Sequence, residues 1–371
     1  MRLIEWLGVQ RKRFSFMKTM WCSEMLKARL VCLVQFLLLA SQSIAAAADG
    51  SPICQISPPD MGFFTKCVDY RGIPIKAPPV VGDAALIEAY RRLDLLLRNN
   101  PSALANLCSQ GAELHIIGKD QQTSDLPEHH GAKGKPFDGA LTIDERTRGV
   151  GGIYASCGEE NLLRLNKDRY FGRDICAHEF SHTLMEYGLD SAIQAAIARQ
   201  YRASVAKGLW PKAYAASNEK EFFAELTMWY FGTRGDYGKI SPEPKPGREW
   251  FRTYDPDAFR LLDDIYSGRR PSRVVRLALV AQQSPSEEGA MRSRNSETPT
   301  SLQIVNKTAA PVKLYWLDYE GRRKPYGEIP PFGRQSQSTY VGHPFILTDR
   351  LDHGLAIFVP VAEPGIAILR K

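Results

Sequence analysis

Asp174-Ile-Cys-Ala-His178-Glu179-Phe-Ser-His182-Thr-Leu-Met-Glu-Tyr187, closed by Gly188, is the stretch on which the reading of this chain turns. The apolar neighbours Ile175, Phe180 and Leu184 fit one helix. The segment therefore predicts a helix over 174–187, buried on most sides and ended by the glycine. Residues four apart on a helix return to one face, so the imidazoles of His178 and His182 can reach a single metal ion. Zinc takes nitrogen ligands at about 2.0–2.1 Å in a tetrahedral site and leaves the fourth position to water when the site is catalytic. Glu179, beside the first histidine, then stands as the general base that takes the proton of that water as it attacks a peptide carbonyl. Taken alone, the pattern also suits two structural histidines on a helix.

The third ligand narrows the choice. The metzincin pattern needs a histidine at position 188, which is Gly188, so that subclass is excluded. A glutamate from a second helix is the main alternative, and Asn218-Glu-Lys-Glu221-Phe-Phe-Ala-Glu225 offers two of them one turn apart. The two could be solvated helix charges, but the aromatics between them argue that this face is packed. The economical assignment makes Glu221 the ligand, with Glu225 orienting a ligand histidine. Tyr214, seven residues before Glu221, could present its hydroxyl to a developing oxyanion.

With these residues in place, the chain resembles the catalytic domain of anthrax lethal factor and its relatives. Those are gluzincins that hold one zinc ion between two histidines and a glutamate, with a tyrosine near the substrate carbonyl. The resemblance implies Glu221 rather than Glu225 as third ligand, and puts Tyr214 in the catalytic tyrosine position. It extends over roughly residues 63–232 through Gly72-Ile-Pro, Thr123-Ser-Asp-Leu-Pro-Glu-His, Arg148-Gly-Val-Gly-Gly, Glu159-Glu-Asn-Leu-Leu and Lys207-Gly-Leu-Trp. These last segments look like a group of secreted lethal-factor-like proteins. Where that group has a second cysteine, this chain has Arg164, which leaves the partner of Cys157 open. The stretch 149–156, before the zinc helix, is a candidate cleft rim against which an extended substrate could pair, or simply a buried strand. His129 and His130 lie on a long loop without a matched partner.

Bulk properties suit an exported protein. Apolar residues make up 44% and charged residues 24% of the 371 positions, as in a globular protein with a real core. The first 48 residues carry seven Lys/Arg against two Asp/Glu, so most of the formal net charge of +7 lies there. The remainder is near neutral and shows no basic, aromatic surface suited to nucleic acid. Lys27 and Arg29, the apolar run from Leu30 to Ala40, and the small residues to Ala48 have the three parts of a secretory signal peptide. That run is about half the ~20 residues of a spanning helix. A secreted or periplasmic protein with no stable membrane span after leader removal is therefore expected, the rival being a retained signal anchor. Five cysteines remain beyond the leader, which permits two bridges and one free thiol. Cys54 with Cys67 is the first pairing expected.

The pattern predicts a helix from Asp83 as N-cap to the Asn99-Asn100-Pro101 stop and a strand over 114–117. A long loop over 119–139 comes next, then strands near Leu141-Thr-Ile and Gly152-Ile-Tyr. Beyond the zinc helix, further helices are expected over 191–206, 218–231 and 255–266. From about residue 282 to Thr300 apolar content almost vanishes, which reads as a flexible linker. Residues 301–371 then switch to short alternating strands: Leu302-Gln-Ile-Val, Val312-Lys-Leu-Tyr-Trp-Leu, Phe345-Ile-Leu, Leu355-Ala-Ile-Phe-Val and Ile366-Ala-Ile-Leu. Trp316-Leu-Asp-Tyr-Glu-Gly321, Pro325-Tyr326, Tyr340-Val-Gly-His343 and Phe358-Val-Pro360 resemble the β domain of the von Hippel–Lindau protein. In that family the sandwich captures a peptide, and the resemblance implies a pocket at Trp316, Tyr326, Thr339, His343 and Phe345. Thr339 stands for a serine and Phe345 for a tryptophan.

The expected organisation is thus a leader over 1–48 and an α+β zincin-type metallopeptidase domain over 49–270. A linker over 271–300 and a C-terminal all-β sandwich over 301–371 complete it. The expected function is a zinc endopeptidase acting on protein or peptide, with the sandwich as an accessory binding module. The other reading is an inactive peptidase fold that serves as a peptide- or surface-binding protein.

Overall fold

The computed structural model describes residues 53–370. The leader expected over 1–48 lies outside them. The described residues form one compact unit. It contains an α+β part and a C-terminal all-β part.

The α+β part is built on a five-stranded sheet in the order β1 (Cys54–Asp60), β2 (Phe64–Tyr70), β3 (Ile73–Ala77), β4 (Glu113–Ile117) and β7 (Tyr154–Gly158). The first three strands form an antiparallel meander. β3, β4 and β7 run parallel, and β4 and β7 are buried at every position, as expected of strands covered on both faces. Helix α1 (Asp83–Leu97) buries Ala85, Leu86, Ala89, Leu93, Leu96 and Leu97, a helical stripe that joins Val68, Tyr70 and Ile75 of the sheet in one core. Asp83 does not cap this helix. Gly82 takes the cap position, and the Asp83 carboxylate pairs with Lys66 at 2.8 Å.

Beyond the Asn99-Asn100 stop the chain restarts at once as α2 (Pro101–Gln110), a helix additional to those expected. Pro101 supplies a pre-set φ at the first turn, and Gly111 closes the helix in the left-handed region at φ 70. The expected strand at Leu141-Thr-Ile shrinks to β6 (Leu141–Thr142), paired with β5 (Pro136–Asp138). Ile143 instead opens a one-turn helix, α3 (Ile143–Arg146), because Thr142 and Glu145 form a reciprocal capping box. A second short helix, α4 (Glu159–Leu162), follows β7. Then come α5 (Ile175–Thr183), α6 (Ser191–Ala206), α7 (Glu219–Tyr230), α8 (Arg248–Tyr254) and α9 (Pro256–Tyr266). α5 continues as a π-helical segment, Leu184–Gly188. No helix among the described residues is long and apolar enough to cross a membrane.

Two four-stranded sheets make the C-terminal part. One has the order β11 (Arg323–Ile329), β10 (Val312–Leu317), β13 (Phe345–Thr348), β14 (Gly354–Phe358). The other has β12 (Arg334–Tyr340), β9 (Pro299–Asn306), β15 (Gly365–Leu369), β8 (Ala278–Leu279). Leu302, Ile304, Leu314, Phe345, Leu347, Phe358 and Ala367 fill the space between them. The stretch 271–300 is not a free tether. β8 extends the sheet beside β15, Gln283 bridges to Ile357, and a 3-10 turn, Pro285–Ala290, packs on β14. Backbone pairing and capping order this polar segment, and neither leaves a hydrophobic signature in the sequence.

Cys54 is bonded to Cys67 across β1 and β2, and Cys157 of β7 to Cys176 of α5. Among the described residues, Cys108 is the free, half-buried thiol.

Candidate metal centre

The helix that carries the two histidines is fixed before any metal is considered. Asp174 caps α5 by accepting from the Ala177 amide at 3.1 Å, and the Ile175 amide donates to Asn161 Oδ1 at 2.8 Å. The Cys157–Cys176 bridge ties the first turn to β7. α7 is capped by Asn218, whose side chain accepts from the amides of Lys220 and Glu221, both at 3.0 Å. Glu221 therefore sits in the first turn of α7, where that helix meets α5.

Three ligand atoms converge. The Nε2 atoms of His178 and His182 are 3.2 Å apart, and Glu221 Oε2 lies 3.3 Å from the first and 3.4 Å from the second. Three ligands held at about 2.0–2.1 Å in a tetrahedron around zinc stand about 3.3–3.4 Å from one another. Glu221 Oε2 is buried without a hydrogen-bond partner among the described residues. The donor set of two imidazoles and one carboxylate fits zinc. Among the described residues, His178, His182 and Glu221 are the group of at least three such side chains close enough to share one ion. His129 and His130 are not part of it.

Glu225 is placed differently. It is fully buried, Arg173 Nη2 donates to its Oε1 at 2.5 Å, and the Asp236 amide donates to its Oε2 at 2.5 Å. Its Oε1 also faces His178 Nδ1 at 3.3 Å, too poorly aligned for a full hydrogen bond. With both oxygens engaged, the carboxylate is in position to hold the His178 ring so that Nε2 turns toward Glu221. Gly235 makes this possible, since a Cβ there would stand 2.3 Å from Glu225 Oε2.

The negative charge around the imidazoles shapes their protonation. Burial alone would lower the His178 pKa, but the Glu221 and Glu225 carboxylates outweigh it and raise it to about 10. Glu221 is likewise penalised by burial, yet the two imidazoles hold it well below the carboxylate range. The site thus favours a positive charge at its centre, proton or metal. Burial pushes the Glu179 carboxyl up, against the pull of the two histidines, which is the direction a general base needs.

Tyr214 opens a 3-10 turn, Tyr214–Ala216, and its ring lies 6.5 Å from that of His178, nearly parallel. Its amide donates to Asp236 Oδ2 at 2.7 Å. The Gly149–Gly152 segment forms the opposite wall, with Val150 bridged to Ser156. A Cβ at Gly151 would come 2.6 Å from His182 Cβ, and one at Gly149 2.9 Å from Glu179 Cγ, so only glycine lets this wall pass so close to α5. The cleft between the walls measures about 1040 Å³. Arg173, Gly235 and Asp236 escaped the sequence reading because no spacing rule links them to the histidines. The glycine run was visible, but its reason was not.

On the sandwich, Trp316 lies 5.6 Å from His343 and 6.4 Å from Tyr326, and Tyr326 lies 5.6 Å from Phe345. Thr339, buried on β12, precedes Tyr340, whose ring is 5.5 Å from His343. Tyr319 also joins the cluster, 5.7 Å from both Trp316 and His343. Trp316 Nε1 and His343 Nε2 are buried without hydrogen-bond partners among the described residues.

Residues 291–358 match the family described as the VHL beta domain. The match begins inside the stretch expected as linker and stops before β15. No curated protein matches the chain.

Proposed function

We propose that the chain is a zinc-dependent endopeptidase of the gluzincin kind, with a zincin-type α+β part and the VHL-like sandwich as an accessory binding module. The observation that carries this reading is the triangle of His178 Nε2, His182 Nε2 and Glu221 Oε2, with edges of 3.2, 3.3 and 3.4 Å. When bound there, zinc supplies Lewis-acid polarisation of the scissile carbonyl and lowers the pKa of water. Glu179 accepts a proton from the attacking water and returns it to the leaving amine. The Tyr214 hydroxyl donates to the oxyanion that develops on the carbonyl oxygen. Glu225 keeps His178 oriented throughout, and the Gly149–Gly152 wall offers backbone to an extended substrate. The two disulfides support an oxidising compartment, secreted or periplasmic.

The aromatic cluster on the sandwich favours a peptide-binding role for that module. The unpartnered Trp316 Nε1 and His343 Nε2 would meet polar atoms of the bound segment. A protein that only binds would need this cluster and not Glu179. Zinc stoichiometry of the purified protein and cleavage of a diverse peptide library by wild type and Glu179→Gln separate the two. Stoichiometric zinc and cleavage lost in the variant are expected. Absence of zinc, or equal cleavage by both proteins, defeats the peptidase reading.

A further inference from the structure

The cleft holds one more charged side chain aimed at Tyr214. Arg146 ends α3, and that single turn is anchored well beyond what a connecting loop requires. Thr142 and Glu145 close its capping box, Ile143 is fully buried, and Asp144 accepts from the amide of Ser124 at 2.8 Å and from its hydroxyl at 2.7 Å. From this fixed turn, Arg146 Nε donates to Asp138 Oδ2 at 2.7 Å and Nη2 donates to the Tyr214 hydroxyl at 3.0 Å. Asp138, Arg146 and Tyr214 line the same cleft as the ligand triangle. Tyr214 is therefore held at both ends, its amide by Asp236 and its phenol by Arg146.

The Arg146–Asp138 pair is substantially exposed, with side chains 33% and 60% accessible, so as a surface ion pair it adds little to stability. Its geometry has a chemical consequence instead. An N–H donated to the phenol oxygen occupies a lone pair and leaves the O–H free to point elsewhere. It also polarises that O–H and strengthens its own donation. Asp138 fixes the guanidinium so that the second donor faces Tyr214.

We propose that Arg146 is a positioning residue for peptide hydrolysis, holding the Tyr214 hydroxyl toward the ligand triangle so that it donates to the developing oxyanion. The inference rests on the peptidase reading above and adds a residue to it. Wild type, Arg146→Met, Arg146→Lys, Tyr214→Phe and the Arg146→Met/Tyr214→Phe double variant are compared after zinc loading, with metal content measured on each. The probes are the best-cleaved library peptide and its phosphinic analogue, whose binding is followed by calorimetry. Tyr214→Phe lowers kcat about 100-fold, as loss of an oxyanion donor does. Arg146→Met lowers kcat about tenfold at unchanged KM and zinc content, and weakens the phosphinate by a similar factor. Arg146→Lys, which keeps the charge but not the fork, recovers about half of that loss on a logarithmic scale. The double variant is no slower than Tyr214→Phe, because Arg146 acts through the phenol.

Wild-type kcat in Arg146→Met overturns the proposal. So does a raised KM at constant kcat, which would make Arg146 a substrate contact, and so do losses that multiply in the double variant. A zinc-loaded wild type that cleaves nothing sinks the peptidase reading and this proposal together, a pattern distinct from the other three.

Discussion

Glu221 and Glu225 stand one turn apart on the same helix, and their surroundings divide their work. Glu221 Oε2 has no hydrogen-bond partner among the described residues and faces two imidazole nitrogens, whereas both Glu225 oxygens are engaged by Arg173 and the Asp236 amide. Glu221→Ala should therefore abolish zinc retention and leave the fold intact, because its first turn is still capped by Asn218. Glu225→Ala should retain zinc more weakly and lose about 3 kcal/mol of stability, since Arg173 is left without its buried counter-ion. Metal analysis after dialysis, alongside urea unfolding, checks both. A Glu225→Ala protein that loses zinc first would reverse the ligand assignment. The two histidines and the pair of glutamates were legible because residues four apart on a helix share a face, and Glu179 from its place beside the first histidine. Arg173, Asp236 and Arg146 were not, because each reaches the site through a turn whose path only the folded chain defines.

At the scale of elements, legibility followed burial. α1, α5, α7, β10 and β13 bury one face or both and could be read from apolar spacing. β11 exposes every residue from Lys324 to Glu328, and β12 reads Arg-Gln-Ser-Gln-Ser-Thr-Tyr, so neither carried the alternation that marks a strand. The close passage of Gly149–Gly152 over α5 is the element contact on which the cleft depends. Gly151→Ala places a methyl 2.6 Å from His182 Cβ, on backbone that packs tightly against α5. The wall or the helix must shift, at a cost of about 1–3 kcal/mol. The expected outcome is a lowered melting temperature together with weaker zinc binding. By contrast, Gly131→Ala, where a Cβ meets nothing within 4 Å, should change neither. Equal behaviour of the two variants in calorimetric melting and zinc titration would show that the wall does not brace the site.

Across the whole molecule, the sandwich is not hung on a linker but clamped to the α+β part. Phe332 enters the main core, Arg334 Nη2 donates to the Gln110 carbonyl at 3.0 Å, and Lys307 reaches Glu113 at 2.6 Å and lies 4.5 Å over the Tyr154 ring. Glu113 also contacts Lys76, which pairs in turn with Asp60, and His115, which pairs with Glu128 at 2.5 Å. Three carboxylates, Asp60, Glu113 and Glu128, thus face Lys76, Lys307 and His115. His115 is fully buried, which by itself would depress its pKa, but Glu128 and Glu113 raise it above the ordinary 6.5. The folded state therefore holds a proton that the unfolded state releases near 6.5. This contribution is full below that pH and disappears as pH climbs through the raised value. Urea unfolding at about pH 6 and about pH 9 should show wild type losing stability with rising pH. In His115→Gln, which keeps a side-chain hydrogen-bond donor but cannot titrate, that slope should become shallower, the remainder coming from His178, whose pKa is raised as well. Cation exchange at Lys307 (Lys307→Met) should leave the slope in place while lowering stability throughout, because it removes a charge that does not titrate in this range. Equal slopes in wild type and His115→Gln would mean that the junction cluster is not what couples the two parts to pH.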